Sequence, residues 1–383
     1  MHIQLPRETL FRAISLLSSA VDRRHTLAIL SNVKIDAQPG LITLTTSDLE
    51  VELVGSLHVA EGVVVEPGST TVPCRKLADI LKTLSAEQVS LQTQDPDQRC
   101  LIRAGKGRFT LSTLPAQDFP LLGQVELPFH LEVQQDHLKS LLDRTAFAMA
   151  VQDVRFYLTG TLLEVEPQLL RAVTNDGHRL ALSECPASLQ GEGQGFQMIV
   201  PRKAVSELQH LLKPESSRIR LGAGKEFMSV TVQPSDKDRE QGLNLEVRLS
   251  TKLIDGKFPE YRRVIPRHGD KTILVERELL QKSLQRVAVL SHEKLRGILF
   301  DFATQQLVLR ANNPEQDEAV DEVPVEYAGE SLTMSFNSSY MQDVLNVLGG
   351  EQVQLVLSEP SASALVQDPQ QQGTLYVVMP MRI

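Results

Sequence analysis

Val72-Pro73-Cys74-Arg75-Lys76-Leu77 returns 128 residues later as Val200-Pro201-Arg202-Lys203-Ala204-Val205. Thr46-Ser47-Asp48 returns at the same offset as Thr174-Asn175-Asp176. Leu111-Ser112-Thr113 returns as Leu249-Ser250-Thr251 at an offset of 138, and Phe-Pro follows each copy, as Phe119-Pro120 and Phe258-Pro259. The ten extra residues fall in 233–242 (QPSDKDREQG), a polar run that reads as a long hairpin loop. A weaker third copy places Ala311-Asn312-Asn313 and Ser335-Phe336-Asn337-Ser338-Ser339-Tyr340 at the matching landmarks. One recurrence is chance; the same order in three blocks is architecture, and 383 residues is close to three times 128.

Each block has one grammar. A short strand leads into a helix, read from the spacing of Leu10, Ile14, Leu17 and Val21, then Leu138, Leu141, Leu142, Thr145 and Met149, then Leu280, Leu284, Val287 and Leu290. Strand-like runs such as 41–45 and 307–309 follow. A second helix sits mid-block, with apolar faces at Leu77, Ile80, Leu81 and Leu84, at Val205, Leu208, Leu211 and Leu212, and at Tyr340, Val344 and Leu348. Pro73 and Pro201 suit its first turn, where a missing N–H costs nothing. Many strands with two helices per block predict an α+β fold of three similar domains, each an antiparallel sheet plus two helices. The expected domains are 1–124, 128–261 and 262–383.

The net charge of −9, taken as an average, argues against a nucleic-acid partner. Its distribution says otherwise. The six helix-bearing segments (1–24, 72–84, 136–155, 201–213, 276–296 and 337–349) carry +7, which leaves −16 on the sheets and loops. Exposed helix positions favour Lys and Arg, but Glu is as good a helix former, so propensity does not explain the sign.

Cys74, Cys100 and Cys185 lie far apart in no CxxC pair, which fits a reducing cytosol and no zinc site. Arg7, Glu8 and Arg12 interrupt the first apolar pattern, so no signal peptide is read there, and no apolar run approaches the roughly 20 residues of a membrane helix. A cytoplasmic protein without membrane contact is expected. The chain has no GxxxxGK[ST] loop, GxSxG elbow or HExxH helix. The acidic run Glu315, Asp317, Glu318, Asp321 and Glu322 lacks the glycine of a calcium loop and reads as a solvated or partner-facing surface, so neither metal nor cofactor is expected. Asp176-Gly177-His178-Arg179 is the segment most like a catalytic triplet, yet no nucleophile accompanies it; it reads as the rim of a binding loop, not an active site.

Taken in order, LSTLPAQDFP (111–120), QDVRFYLTG (152–160), TNDGHRLA (174–181), DGKFPEYRRVIP (255–266), NNPEQDEA (312–319) and YVVMPMRI (376–383) resemble the bacterial DNA polymerase III beta subunit, the sliding clamp, over the whole chain. The resemblance implies a head-to-tail homodimer whose six domains form a ring around double-stranded DNA, with helices lining the hole. It implies a non-catalytic processivity factor that tethers DNA polymerase III through its catalytic subunit. It further implies docking of the clamp loader and of other proteins carrying a clamp-binding motif. Spread positive charge would meet phosphates without base contacts, so the ring would slide, and tethering would keep the effective polymerase concentration high. The runner-up is a scaffold of the same fold that binds proteins without encircling DNA; an enzyme comes third.

The resemblance places DNA contacts at Arg24, Arg75, Gln152, Phe156 and Tyr157. Phe156 stands where Tyr is common, and ordinary strand packing is the alternative for Phe156 and Tyr157. Arg202 and Lys203 are added as further contacts because they repeat Arg75 and Lys76. A partner-peptide pocket is expected at Leu158, Asn175, Gly177, His178, Arg179, Leu180, Pro259, Arg263, Val264, Val377, Met379, Pro380, Met381 and Arg382, where apolar walls and adaptable Met carry a few polar anchors. Asn175 stands where Thr is usual. The dimer interface is expected to set Phe109 and Leu111 against Val289 and Leu290, with Lys76, Arg103 and Lys106 facing Glu315, Asp317 and Glu318. The segment 25–30 lacks the prolines often seen there, and 191–195 and 233–242 are lengthened; both loops are expected on the outer surface, without an assigned role.

Overall fold

Six times the chain passes from a strand into a helix with no loop between. His2–Pro6 leads into helix Arg7–Leu17, Phe129–Gln134 into Gln135–Thr145, and Lys271–Glu276 into Arg277–Ala288. Mid-block, Gly68–Pro73 leads into Cys74–Thr83, Phe196–Pro201 into Arg202–Leu211, and Leu332–Asn337 into Ser338–Val347. These elements come from a computed structural model, which describes residues 1–21, 27–94, 98–123, 126–190, 195–267 and 269–382. All three blocks thus share the expected grammar, and the strands pair antiparallel. Pro73 and Pro201 are each the last residue of a strand, just before the helix, not in its first turn. There their missing N–H is still harmless and their fixed φ ends the strand.

The helices bury one stripe each. Leu10, Ala13, Ile14 and Leu17 are buried on the first, and Leu280, Ser283, Leu284 and Val287 on the fifth, at the three- and four-residue spacing that brings side chains to one face. In helix Ser338–Val347 the buried face is Met341, Val344 and Leu345, with Leu348 just beyond; Tyr340, expected on that face, is partly buried and packs against the same core. The six long helices hold twelve Lys and Arg against seven Asp and Glu, so the basic bias survives once the helix ends are drawn.

The 233–242 segment is not a bare loop: Asp236–Glu240 is a short helix. Ser235 accepts from the Asp238 N–H while the Asp238 carboxylate accepts from the Ser235 N–H, a capping box that starts a helix without any apolar pattern.

The chain divides into two compact units. The first comprises Met1–Lys139, Ala187–Gln194 and Lys203–Leu253, the second Ser140–Pro186, Gly195–Arg202 and Ile254–Ile383. Among the described residues the first unit holds a five-stranded and a nine-stranded sheet, the second a twelve-stranded sheet.

Inside each unit, consecutive repeats are stitched by one strand pair. In the first unit Val51–His58 of repeat one pairs antiparallel with Leu245–Lys252 of repeat two, Glu52 opposite Ser250. In the second unit Arg179–Pro186 of repeat two pairs with Thr374–Val378 of repeat three, Leu180 opposite Val377. The backbone corners match: Thr251 and Lys252 reach the Glu50 carbonyl, and Met379 N–H donates to the His178 carbonyl.

Two strands of the same kinds have an open side among the described residues. Gly107–Ser112 is the outermost strand of the five-stranded sheet. Glu318–Glu326 pairs with Gln306–Asn312 along 318–324, while on its other side only Val325 and Glu326 meet a neighbour.

Candidate functional site

The expected pocket residues lie within the second unit. Leu158, Leu180 and Val377 are fully buried in one cluster with Leu162, Phe258 and Tyr261, and Val264 packs against it. They are the floor. The rim is more exposed: His178, Pro259, Arg263, Met379 and Arg382 face solvent, while Asn175, Gly177, Pro380 and Met381 are half-buried. Gly177 has φ of +90°, a conformation glycine adopts without strain, and a Cβ there would meet the Arg155 guanidinium at 3.0 Å.

The turn is built by its own side chains. Asp176 accepts from the N–H groups of His178 and Arg179, and Asn175 from that of Gly177. The segment carrying Pro259, Arg263 and Val264 is anchored by a charged network. Arg171 pairs with Glu164 at 2.7 Å and with Glu184 at 2.5 Å, Tyr261 donates its hydroxyl to Glu164, and Arg262 reaches the same carboxylate at 3.0 Å. Burial pushes the Glu164 carboxyl up, but the bonds from Tyr261 and Arg171 outweigh it and hold the group below its usual range.

Arg179 is expected among the polar anchors of the pocket. Its guanidinium is instead committed: Nε donates to Asp176 at 3.0 Å, Nη1 to Asp343 at 2.5 Å and Nη2 to the Phe147 carbonyl at 3.0 Å. It also lies 5.1 Å from the Phe147 ring and 4.6 Å from that of Tyr340, which stacks on His178. Phe147, Tyr340 and Asp343 are therefore rim residues that the sequence reading missed. Tyr340 and Phe147 both pack partly against the core, which hides their second contact from a reading of helix faces. The chain end is tied down too, since Met381 N–H donates to the Ser335 carbonyl at 2.7 Å. Ile383 lies outside the described residues.

The expected DNA contacts divide three ways. Arg24 lies outside the described residues. Gln152 is exposed at φ of +55°, and Phe156 is 55% exposed. Phe156 and Tyr157 form a one-turn 3-10 helix with Leu158, so strand packing is not what holds them. Arg75 is exposed and donates to the Val21 carbonyl at 3.1 Å.

Arg202 and Lys203 are placed otherwise than the motif suggested. Helices begin at Cys74 and Arg202, so Arg202 occupies the place of buried Cys74, and Lys203 that of Arg75. Arg202 is half-buried and donates to the carbonyls of Met149 at 2.5 Å and Ala150 at 3.3 Å. Burial and nearby Arg179 lower its pKa. In the first unit, Lys203 forms an ion pair with Asp48.

The expected interface residues occupy the two open strands and their neighbours. Lys76, Arg103 and Lys106 are exposed, with Phe109 and Leu111 half-exposed on the outermost strand. On the other side Val289 is 77% exposed, Leu290 is half-buried, and Glu315, Asp317 and Glu318 are exposed. Among the described residues no group of three or more His, Cys, Asp or Glu is arranged to hold a metal ion, and no helix is long and apolar enough to cross a membrane. Burial pushes the Cys74 thiol up to about 12 and the Cys100 thiol to about 11.

Comparison with known proteins follows the repeats. Residues 1–123, 132–260 and 262–382 match, in turn, the N-terminal, central and C-terminal domains of the DNA polymerase III beta subunit. The chain is 44% identical over 383 residues to the beta sliding clamp of Pseudomonas putida, with all of both chains covered. It is 38% identical over 386 residues to that of Escherichia coli, again over the whole of both. The sliding clamp of Pseudomonas aeruginosa, solved with a ligand, superposes with a TM-score of 0.92 at 42% identity, covering both chains entirely. A Bartonella birtlesii clamp bound to griselimycin gives 0.90 at 32% identity over the same extent. With three repeats of one grammar and these likenesses along its full length, the chain belongs to the DNA polymerase III beta subunit family of sliding clamps, non-catalytic processivity factors of replication.

Proposed function

We propose that two copies of this chain close head to tail into a six-domain ring around double-stranded DNA, and that the groove around Leu158, Leu180 and Val377 takes peptide segments of the polymerase III catalytic subunit, the clamp loader and other proteins with a clamp-binding motif. The domains are taken as 1–124, 128–261 and 262–383, and the site of action as the cytoplasm.

One observation supports the ring above the rest. Each junction between repeats uses a strand like Val51–His58 of one repeat and a strand like Leu245–Lys252 of the next. After two such junctions, one strand of each kind is left over: the open side of 318–324 in repeat three and Gly107–Ser112 in repeat one. A second copy supplies the missing partner for each, and a heterologous contact of this kind makes a ring when the repeated rotation closes, as the ring reading requires.

The register follows from the same rule. Glu318 lies opposite Asn312 in its hairpin as Glu52 lies opposite Ser47, and Ser112 is the repeat of Ser250, which faces Glu52. Glu318 then faces Ser112 of the second copy, Ala319 faces Leu111, and Glu322 faces Arg108. A one-residue slip would oppose buried-face Val323 to solvent-face Arg108, which pleat alternation forbids.

Arg24, Arg75, Gln152, Phe156 and Tyr157 are the proposed DNA contacts; Arg202 is left out, because it is half-buried and its Nη2 is turned to the carbonyls of Met149 and Ala150. The test is retention on DNA. Loaded protein is expected to stay on a closed circle and to run off after a single cut that leaves free ends. Equal retention on both forms would defeat the ring.

A further inference from the structure

The helix-bearing insertion of repeat two has no part in the junctions, the groove or the proposed DNA contacts, yet its side chains are bonded to both repeats of the first unit. Asp238 is 6% exposed. Its Oδ1 accepts from Arg12 Nη2 at 2.8 Å, and its Oδ2 pairs with Lys213. Arg12 Nη1 donates to Gln241 Oε1 at 2.8 Å, and Thr9 Oγ1 reaches the Gly242 carbonyl at 3.5 Å. Arg12 and Thr9 belong to the first helix of repeat one; Lys213 follows the second helix of repeat two. The carboxylate therefore joins two repeats at the level of their helices.

We propose that the insertion is a strut that fixes repeat one against repeat two, with Asp238 as the residue that positions Arg12 and Lys213. A single strand pair joins these repeats in the sheet, and the twist between paired strands varies over tens of degrees. Beside that pair, Lys203 of repeat two meets Asp48 of repeat one. Each tie away from the line of the strands removes some freedom to bend about it. The junction of repeats two and three has one such tie in the Arg179 guanidinium, held between Asp176, Asp343 and the Phe147 carbonyl. At the first junction the strut adds a second to the Lys203–Asp48 pair, reaching the first helix of repeat one.

Hydrogen exchange on the full-length protein tests it. In Asp238→Ala, amides of Arg7–Leu17 and of 236–243 are expected to exchange roughly five- to tenfold faster through local opening, while Arg277–Ala288 in the second unit is unchanged. Arg12→Gln should reproduce the effect on 236–243, and the double variant should add little to either single one. Unchanged exchange in Arg7–Leu17 would overturn the strut, and a rise spread across both units would show Asp238 to be a residue of general stability instead. Retention of the unsubstituted protein on circular DNA, measured separately, reports on the ring and leaves this result standing either way.

Discussion

The guanidinium of Arg179 lies 4.6 Å from the centroid of the Tyr340 ring while donating to Asp343 at 2.5 Å, although 161 and 164 residues separate these partners from it in the chain. The arginine is 10% exposed and every nitrogen is used, so it holds Asp176, Phe147 and Asp343 together. Arg179→Ala is expected to lower stability by about 2–4 kcal/mol, since it removes the ion pairs to Asp176 and Asp343 and opens a gap between two aromatic rings. Arg179→Lys should recover little of this, because one ammonium cannot reproduce the planar fork. Urea midpoints for both variants check it, and full rescue by lysine would refute the fork.

The last residues are ordered by two backbone bonds, from Met379 to His178 and from Met381 to Ser335. They cap the groove but take no part in either open strand. Removing 379–383 is therefore expected to abolish polymerase stimulation and leave the oligomer unchanged. Mass measurement in solution separates the two effects, and loss of the oligomer would show that the tail has been assigned to the wrong surface.

How much of this could be read in advance depends on the range of the interaction. The strand-then-helix grammar was legible because it is local: Leu10, Ile14 and Leu17 declare their face at helical spacing. The role of Tyr340 was not, because its partner Arg179 is remote in sequence. The helix Asp236–Glu240 was missed for the opposite reason, having no apolar residue to show a period; only the Ser235 and Asp238 spacing announced it. Arg202 was misjudged by a shift of one position in matching the motifs, enough to exchange a buried helix start for an exposed one.

Asp238 gives a pH prediction. Burial pushes its carboxyl up, but bonds from Lys213 and Ser235 prevail and hold it at about 2. Because the folded value is depressed, its contribution is present above the ordinary carboxylate range and is lost as pH falls through about 4 toward 2. Asp238→Asn should be less stable than the unsubstituted protein by about 1–2 kcal/mol at pH 7, with the gap narrowing below pH 4. Urea unfolding at pH 7, 5, 4 and 3 measures it; a gap independent of pH would assign the loss to packing.

Phosphate contact should appear in the salt dependence of binding. Arg75 is exposed on a basic helix, and Arg24 shares its proposed role. Arg24→Glu with Arg75→Glu is expected to weaken binding to duplex DNA and to flatten the plot of log K against log salt by about 2 per chain, close to one unit for each phosphate contact removed. Fluorescence anisotropy between 50 and 200 mM salt resolves such a change. An unaltered slope would take both residues off the DNA.

The interface register makes the sharpest prediction, because it names pairs. Glu322 is exposed and accepts from Gln306 of its paired strand at 2.8 Å, a weak bond from a neutral amide that an arginine on the open side would compete with. Arg108 stands opposite Arg103 in its hairpin, like charges that repel across the ladder unless an acidic strand comes alongside. Arg108→Glu places a carboxylate against Glu322 and should raise the dimer dissociation constant roughly tenfold or more, to be read by sedimentation across a concentration series. Glu322→Arg should weaken the dimer in the same way, and the two together should restore it. Recovery in the double variant is what the stated register requires. If each single variant weakens association but the pair does not recover, the strands meet in another register and the ring reading survives. If neither single variant changes the dimer, the open strands are not the interface.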